Sequence, residues 1–151
     1  MSPPRFQLIA VGRGMPPPVR ELVGEYLHRL ERHGGCQLIE IAEEPRPPKS
    51  GPDPLSLMKK EADRILPHLA GGGLSIALAL DGEALDSESL ARRVGRWRDE
   101  GIRPLRFLIG GPDGLHPELR RATRHALSLG PMTYPHMLAR VLILEQLYRA
   151  S

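Results

Sequence analysis

Four short apolar runs punctuate the chain: RFQLIAVG from Arg5, CQLIEIA from Cys36, GLSIALAL from Gly73 and LRFLIG from Leu105. Each has the length of a strand, and the stretches between them have the length of a crossover helix. Strands that alternate with helices specify an α/β fold with a mostly parallel sheet and helices on both of its faces. The spacing predicts a first helix from about Pro17 to Arg32, with Leu22, Tyr26 and Leu30 on one face and Gly34-Gly35 ending it. A second follows in DPLSLMKKEADRILPHLAGGG, and a third in DSESLARRVGRWRDEG, capped by Asp86 or Ser87 and facing Leu90, Val94 and Trp97 to the core. EEPRPPKSGPDP breaks regular structure and reads as a loop. With 151 residues, the chain is expected to form one domain over residues 1–151.

The composition excludes several classes. No apolar run approaches bilayer length, and the N-terminus lacks a signal peptide's basic start and cleavage site, so a cytoplasmic protein without membrane partners is expected. Cys36 is the only cysteine, which rules out an intrachain disulfide or a cysteine-based zinc site. The six histidines show no metal-ligand spacing, so no metal is expected. GGPDG is not followed by Lys-Ser/Thr, GRG at Gly12–Gly14 runs into prolines, and there is no GxSxG elbow. Asp81, Glu83 and Asp86 crowd one turn, where capping is a simpler account than a divalent ion. Arginine supplies 18 of the 21 basic side chains. Arg92, Arg93, Arg96 and Arg98, with Arg120, Arg121 and Arg124, form either a nucleic-acid footprint or the solvated faces of a composition rich in Arg, Pro and Gly.

Three loops leave the C-terminal ends of strands, the edge where open α/β sheets bind ligands: LDGEALDS after Leu80, GGPDGL after Ile109, and LSLGPMTYPH. The last offers backbone amides between small and apolar side chains, suited to an adenine ring or simply to a buried loop. In the final helix, PHMLARVLILEQLYRA, apolar residues reach nearly every face from Met137 to Tyr148. Such a helix needs cover on several sides, which predicts a homodimer.

FLIGGPDGLHPE followed by ALSLGPMTYPHMLARVLILEQLYRA, with VGRGMP near the start and ALDGEALDSESLA between, resembles the bacterial pseudouridine N3-methyltransferases of large-subunit ribosomal RNA, in the SPOUT superfamily. The likeness spans essentially the whole chain. It implies a knotted α/β homodimer with a C-terminal trefoil knot that binds S-adenosylmethionine and methylates N3 of a pseudouridine, with the assembled ribosome as partner. By this resemblance the cofactor contacts are Leu80, Gly110, Gly111, Leu129, Gly130, Pro131, Met132, Thr133 and Tyr134. Gly110 and Gly111 would leave room for the cofactor and the crossing chain. His136 and Arg140, four residues apart at the start of the last helix, would serve as catalytic residues: His136 for substrate positioning or proton handling, Arg140 for a phosphate or uracil oxygen. The plainer account of the pair is a helix-start histidine and an interface arginine bound to a carboxylate such as Glu145. Family members usually continue for about a dozen residues past YRA into a Tyr-His-basic tail near the active site, which this chain lacks. That departure leaves two alternatives: a catalytically impaired RNA-binding dimer of the same fold, and a nucleotide-binding structural module.

Overall fold

The computed structural model describes residues 3–46, 53–132 and 134–151. Five strands form one sheet: β1 (Phe6–Val11), β2 (Cys36–Ile41), β3 (Leu74–Ala84), β4 (Leu105–Ile109) and β5 (His125–Ser128). The sheet order is β2-β1-β4-β3-β5, and every pairing is parallel. The helices are α1 (Pro17–Leu30), α2 (Pro54–Ile65), α3 (Ser87–Asp99), α4 (Pro117–Ala122) and α5 (His136–Ala150).

Local chemistry sets the helix ends. The Asp53 carboxylate accepts from the Leu55 N–H at 3.2 Å and Asp86 from the Ser89 N–H at 2.7 Å, each satisfying an orphan donor of a first turn. Asp86 is thus a cap. Asp81 and Glu83, its companions in the crowded turn, pair separately with Arg120 and Arg93. A one-turn 3₁₀ helix extends α1, and Gly34 stops it at φ +97°, a conformation that favours glycine.

Alternation along β1 divides the core. Phe6, Leu8 and Ala10 face α1, α3 and α5, together with Phe107, Val94, Trp97, Leu144 and Leu147. Ile9 and Val11 face α2 and α4, with Leu108, Ala62, Ile65 and Leu119. Each fully buried Leu, Ile or Phe contributes about 1.5–3 kcal/mol.

Several expectations change. The buried residues of α1 are Val23 and Leu30, whereas Leu22 is exposed, because α5 packs on the Val19–Val23–Tyr26 side. β3 runs on through Asp81–Ala84, where a loop was expected, after a register shift against β5 between Leu78 and Glu83. Gly82 lies in that irregularity; a Cβ there would stand 2.6 Å from the Leu127 backbone, so only glycine lets β5 pass. Of the Pro-rich loop, Glu43–Arg46 is irregular chain and residues 47–52 lie outside the described residues. No helix among the described residues is long and apolar enough to cross a membrane.

Candidate active site

The C-terminal ends of β3, β4 and β5 surround a cleft of about 440 Å³, within the range of small-molecule sites. Leu80, Gly110, Gly111, Leu129, Gly130, Met132, Tyr134 and His136 line it. Leu80 comes from β3, Gly110 and Gly111 from the turn after β4, Leu129, Gly130, Met132 and Tyr134 from the segment after β5 and His136 from the start of α5, brought side by side by the strand order. Pro131 is exposed and does not line the cleft, and Thr133 lies outside the described residues.

The roles of the glycines differ from expectation. A Cβ on Gly110 would stand 2.5–2.9 Å from the backbone of Gly114 and Leu115, so the residue makes room for its own loop rather than for a ligand or a crossing chain. A Cβ on Gly111 would point away from the cleft, 3.2 Å from Val11 Cγ1 and beside Glu61 and Glu43. Gly130, at φ +115°, is held by Ser128: its N–H donates to the Ser128 hydroxyl, which donates to the Gly130 carbonyl, both at 3.0 Å. Its amide is therefore taken. Among the described residues the N–H groups of Met132 and Tyr134 have no partner within the protein and are available to a ligand.

His136 and Arg140 both reach back to the end of β1. His136 Nδ1 lies 3.1 Å from the Val11 carbonyl, which can only accept, so Nδ1 carries a hydrogen, and in the neutral ring Nε2 is the nitrogen with the lone pair. Gly12 lies against the histidine ring, where a Cβ would be 2.8 Å from Cε1. Arg140 is fully buried; it donates to Glu40 at 2.7 Å and to the Gly12 carbonyl at 2.8 Å. This guanidinium cannot meet a phosphate or uracil oxygen. Its partner is Glu40 rather than Glu145, because the first turn of α5 packs over the β1 terminus. The GRG segment is thus a docking point for α5.

Sequence reasoning missed a second layer under the GGPDG loop. Glu61 is 2% exposed and accepts from Arg46 Nη1 at 2.8 Å and from the Glu44 N–H at 3.0 Å, which satisfies a carboxylate otherwise costly to bury. Arg46 Nε also donates to Asp113 at 2.9 Å, and Asp113 lines the cleft. The hydrogen bonds that Arg46 donates to Glu61 and then Asp113 hold its pKa above the usual value, against burial. No motif marks Arg46; it stands in a segment legible only as a breaker. Arg120 at the rim pairs with Asp81 at 2.7 Å and holds that carboxyl below its ordinary range. Among the described residues no three of His, Cys, Asp and Glu gather as metal ligands.

An all-parallel α/β sheet with a cleft of small-molecule size at the C-terminal edge, and a histidine presented to it by α5, is the arrangement of the open-sheet α/β class, whose ligands bind at this edge. Comparison narrows the class. The family described as "Predicted SPOUT methyltransferase" matches residues 5–151. A protein named "Ribosomal RNA large subunit methyltransferase H" from Magnetococcus marinus is 45% identical over 147 residues, covering 97% of this chain and 92% of that one. One of the same name from Brucella anthropi is 45% identical over 148 residues, with the same coverage. A crystal structure of a probable methyltransferase from Bordetella pertussis shares the fold, with a TM-score of 0.59, 18% identity and coverage of 97% of this chain and 94% of that one. The chain belongs to the SPOUT methyltransferase family.

Proposed function

We propose that this protein is an S-adenosylmethionine-dependent methyltransferase that transfers a methyl group to N3 of a pseudouridine in large-subunit ribosomal RNA, working as a knotted homodimer. The observation that carries the reading is the cleft itself, where Leu80, Gly111, Leu129, Gly130, Met132 and Tyr134 meet around one space beside His136. The names of the relatives support the RNA substrate.

The residues fit the cofactor. Leu80, Leu129 and Met132 offer apolar walls for a purine, the amides of Met132 and Tyr134 offer donors, and Gly111 presents backbone without a side chain to the cleft. When bound, S-adenosylmethionine supplies a methyl carbon activated by its sulfonium. The chain aligns acceptor and donor and keeps water out, which is the larger part of catalysis in such a displacement. The acceptor imide must lose a proton at N3. His136 Nε2, left with its lone pair by the Nδ1 bond to Val11, is the group that takes it. Arg140 positions that histidine indirectly, by fixing the Val11–Gly12 carbonyls on which the imidazole rests.

Methyl incorporation from labelled S-adenosylmethionine into large subunits that lack the modification tests the proposal. One methyl per subunit is expected, recovered as N3-methylpseudouridine on nucleoside analysis. No incorporation, or a methyl on another atom, overturns it.

A further inference from the structure

The two edges of the sheet treat their arginines differently. Around the cleft, at the C-terminal edge, guanidiniums meet carboxylates: Arg46 with Glu61 and Asp113, Arg93 with Glu83, Arg120 with Asp81, Arg140 with Glu40. At the opposite edge, where the strands begin, Arg5 precedes β1, Arg103 and Arg106 flank the start of β4, Arg124 precedes β5 and Arg98 lies in the last turn of α3. Among the described residues Arg98 has a carboxylate partner, Asp99 at 3.3 Å, and Arg5, Arg103, Arg106 and Arg124 have none.

Backbone carbonyls hold Arg5, Arg103 and Arg106 without neutralising them. Arg106 is 5% exposed and donates to the Gly72 carbonyl at 2.7 Å and to Gln7 Oε1 at 3.1 Å. Arg103 donates to the Pro3 carbonyl at 2.6 Å and to that of Gly34 at 3.3 Å. Arg5 has its Nε and Nη2 buried without partners. Burial first, and then the charges of Arg98 and Arg103, lower the pKa of Arg5; burial alone does the same to Arg106. Carbonyl capping accounts for how the side chains are oriented, but it leaves their full positive charge in place. A buried guanidinium without an anion is costly, and several pointed at one edge repel one another.

Two clefts open at this edge and share Gly101, Ile102 and Arg103. One, of about 640 Å³, is lined by Gly72, Ser75, Arg106 and Arg124 as well. The other, of about 410 Å³, adds Arg5, His33, Gly34 and Arg98. Among the described residues none of the exposed large apolar side chains lines either cleft, so the edge lacks the anchors a membrane surface uses. Guanidinium forks match phosphate oxygens in pairs, and a row of them without counter-ions is the electrostatic footprint of a polyphosphate chain.

We propose that the N-terminal edge of the sheet is a docking surface for the phosphate backbone of RNA, separate from the cleft: the exposed Arg103 and Arg124 make the contacts, and the buried charges of Arg5 and Arg106 behind them add to the positive field. The choice of RNA as the polyanion rests on the methyltransferase reading above. The five residues of β4 alone separate the two edges by about 17 Å at 3.3 Å per residue. The edge therefore grips nucleotides other than the one that enters the cleft, and selects an RNA folded enough to reach both.

Salt titration of the full chain with a fluorescein-labelled single-stranded 20-mer RNA, read by anisotropy, tests this. Arg103→Gln with Arg124→Gln removes two exposed cations; their circular dichroism should match the unaltered protein. The slope of log affinity against log salt should become shallower by about 1.4, at about 0.7 per lost phosphate contact. Arg92→Gln, on the outer face of α3, should leave the slope unchanged. A double variant that keeps the original slope overturns the proposal, as does loss of inorganic phosphate binding in that variant with an unaltered RNA slope, which marks a site for a free ion. Calorimetry with S-adenosylmethionine reads the cleft separately. No cofactor binding, alongside an arginine-dependent RNA slope, would overturn the methyltransferase reading and leave the docking surface standing.

Discussion

His136 and Arg140 sit one helical turn apart and do opposite kinds of work. The histidine keeps Nε2 free at the cleft because Nδ1 is committed to Val11. Asparagine reproduces the Nδ1 donor and removes the base, so His136→Asn should lower kcat by about a hundredfold while S-adenosylmethionine affinity stays within about twofold. Single-turnover kinetics and calorimetry on the same variant check the two halves; a normal kcat would remove the histidine from the chemistry. Arg140 holds Glu40 and the β1 terminus from a fully buried position. Arg140→Met should cost about 3 kcal/mol, the lower end of the range for removing one member of a buried pair, because Glu40 keeps some contact with water. Urea denaturation reads that loss. Sequence placed both residues on one helix face as catalytic, the histidine for positioning or proton handling and the arginine for a phosphate or uracil oxygen. What separates them is the burial of Arg140 against Glu40, 100 residues earlier, which no local pattern records.

The glycine-rich turn after β4 shows the same division between adjacent positions. Gly110→Ala drives a methyl into the backbone of Gly114 and Leu115, whereas Gly111→Ala brings one to 3.2 Å from the Val11 side chain, a contact relieved by a shift of a few tenths of an ångström. The first should weaken S-adenosylmethionine binding at least tenfold by reshaping the loop, and the second by less than threefold, both measured by calorimetry. Opposite β3, Asp81–Arg120 and Glu83–Arg93 tie the rim together, and each guanidinium holds its carboxyl below the usual range. A depressed folded pKa contributes stability that is complete above the unfolded value of about 4 and is lost as pH falls through the lower folded value. Amide exchange at Leu80–Ala84, corrected for its intrinsic rate, should be flat from pH 8 to 5 and rise below about 4. Strands β1 to β4 were legible because each carries an apolar run, and α1, α2, α3 and α5 because their patterns span several turns. β5 buries one apolar residue deeply, Leu127, and exists through its pairing with β3; α4 has six residues, too few to show a period. The segments that line the cleft were legible by likeness of motif, and the Glu61–Arg46–Asp113 layer beneath them was not, since its members are 15 and 67 residues apart.

At the scale of the whole molecule, the apolar character of α5 divides into two parts. Ile143, Leu144 and Leu147 are buried within the protomer, so a charge at Leu144 would break the core and say nothing about an interface. Leu138 and Leu142, one turn apart on α5, remain 45% and 37% exposed and form a short stripe, and Tyr134, 37% exposed just before the helix, lines the cleft. In the proposed homodimer, a two-fold partner placed on this stripe would cover it with the same stripe and close the mouth of the cleft, so that each site would be completed by the second copy. Two half-exposed leucines per protomer, buried on both sides of the axis, contribute about 4 kcal/mol in total, on the order of a thousandfold in the dimer constant. Leu138→Glu with Leu142→Glu should therefore give a folded monomer by sedimentation at tens of micromolar, because neither side chain supports the core, and methyl transfer should fall with dimer content. Sedimentation of the unaltered protein as a monomer at that concentration would overturn the arrangement. A monomeric double variant with full activity would show instead that the second copy contributes nothing to the site.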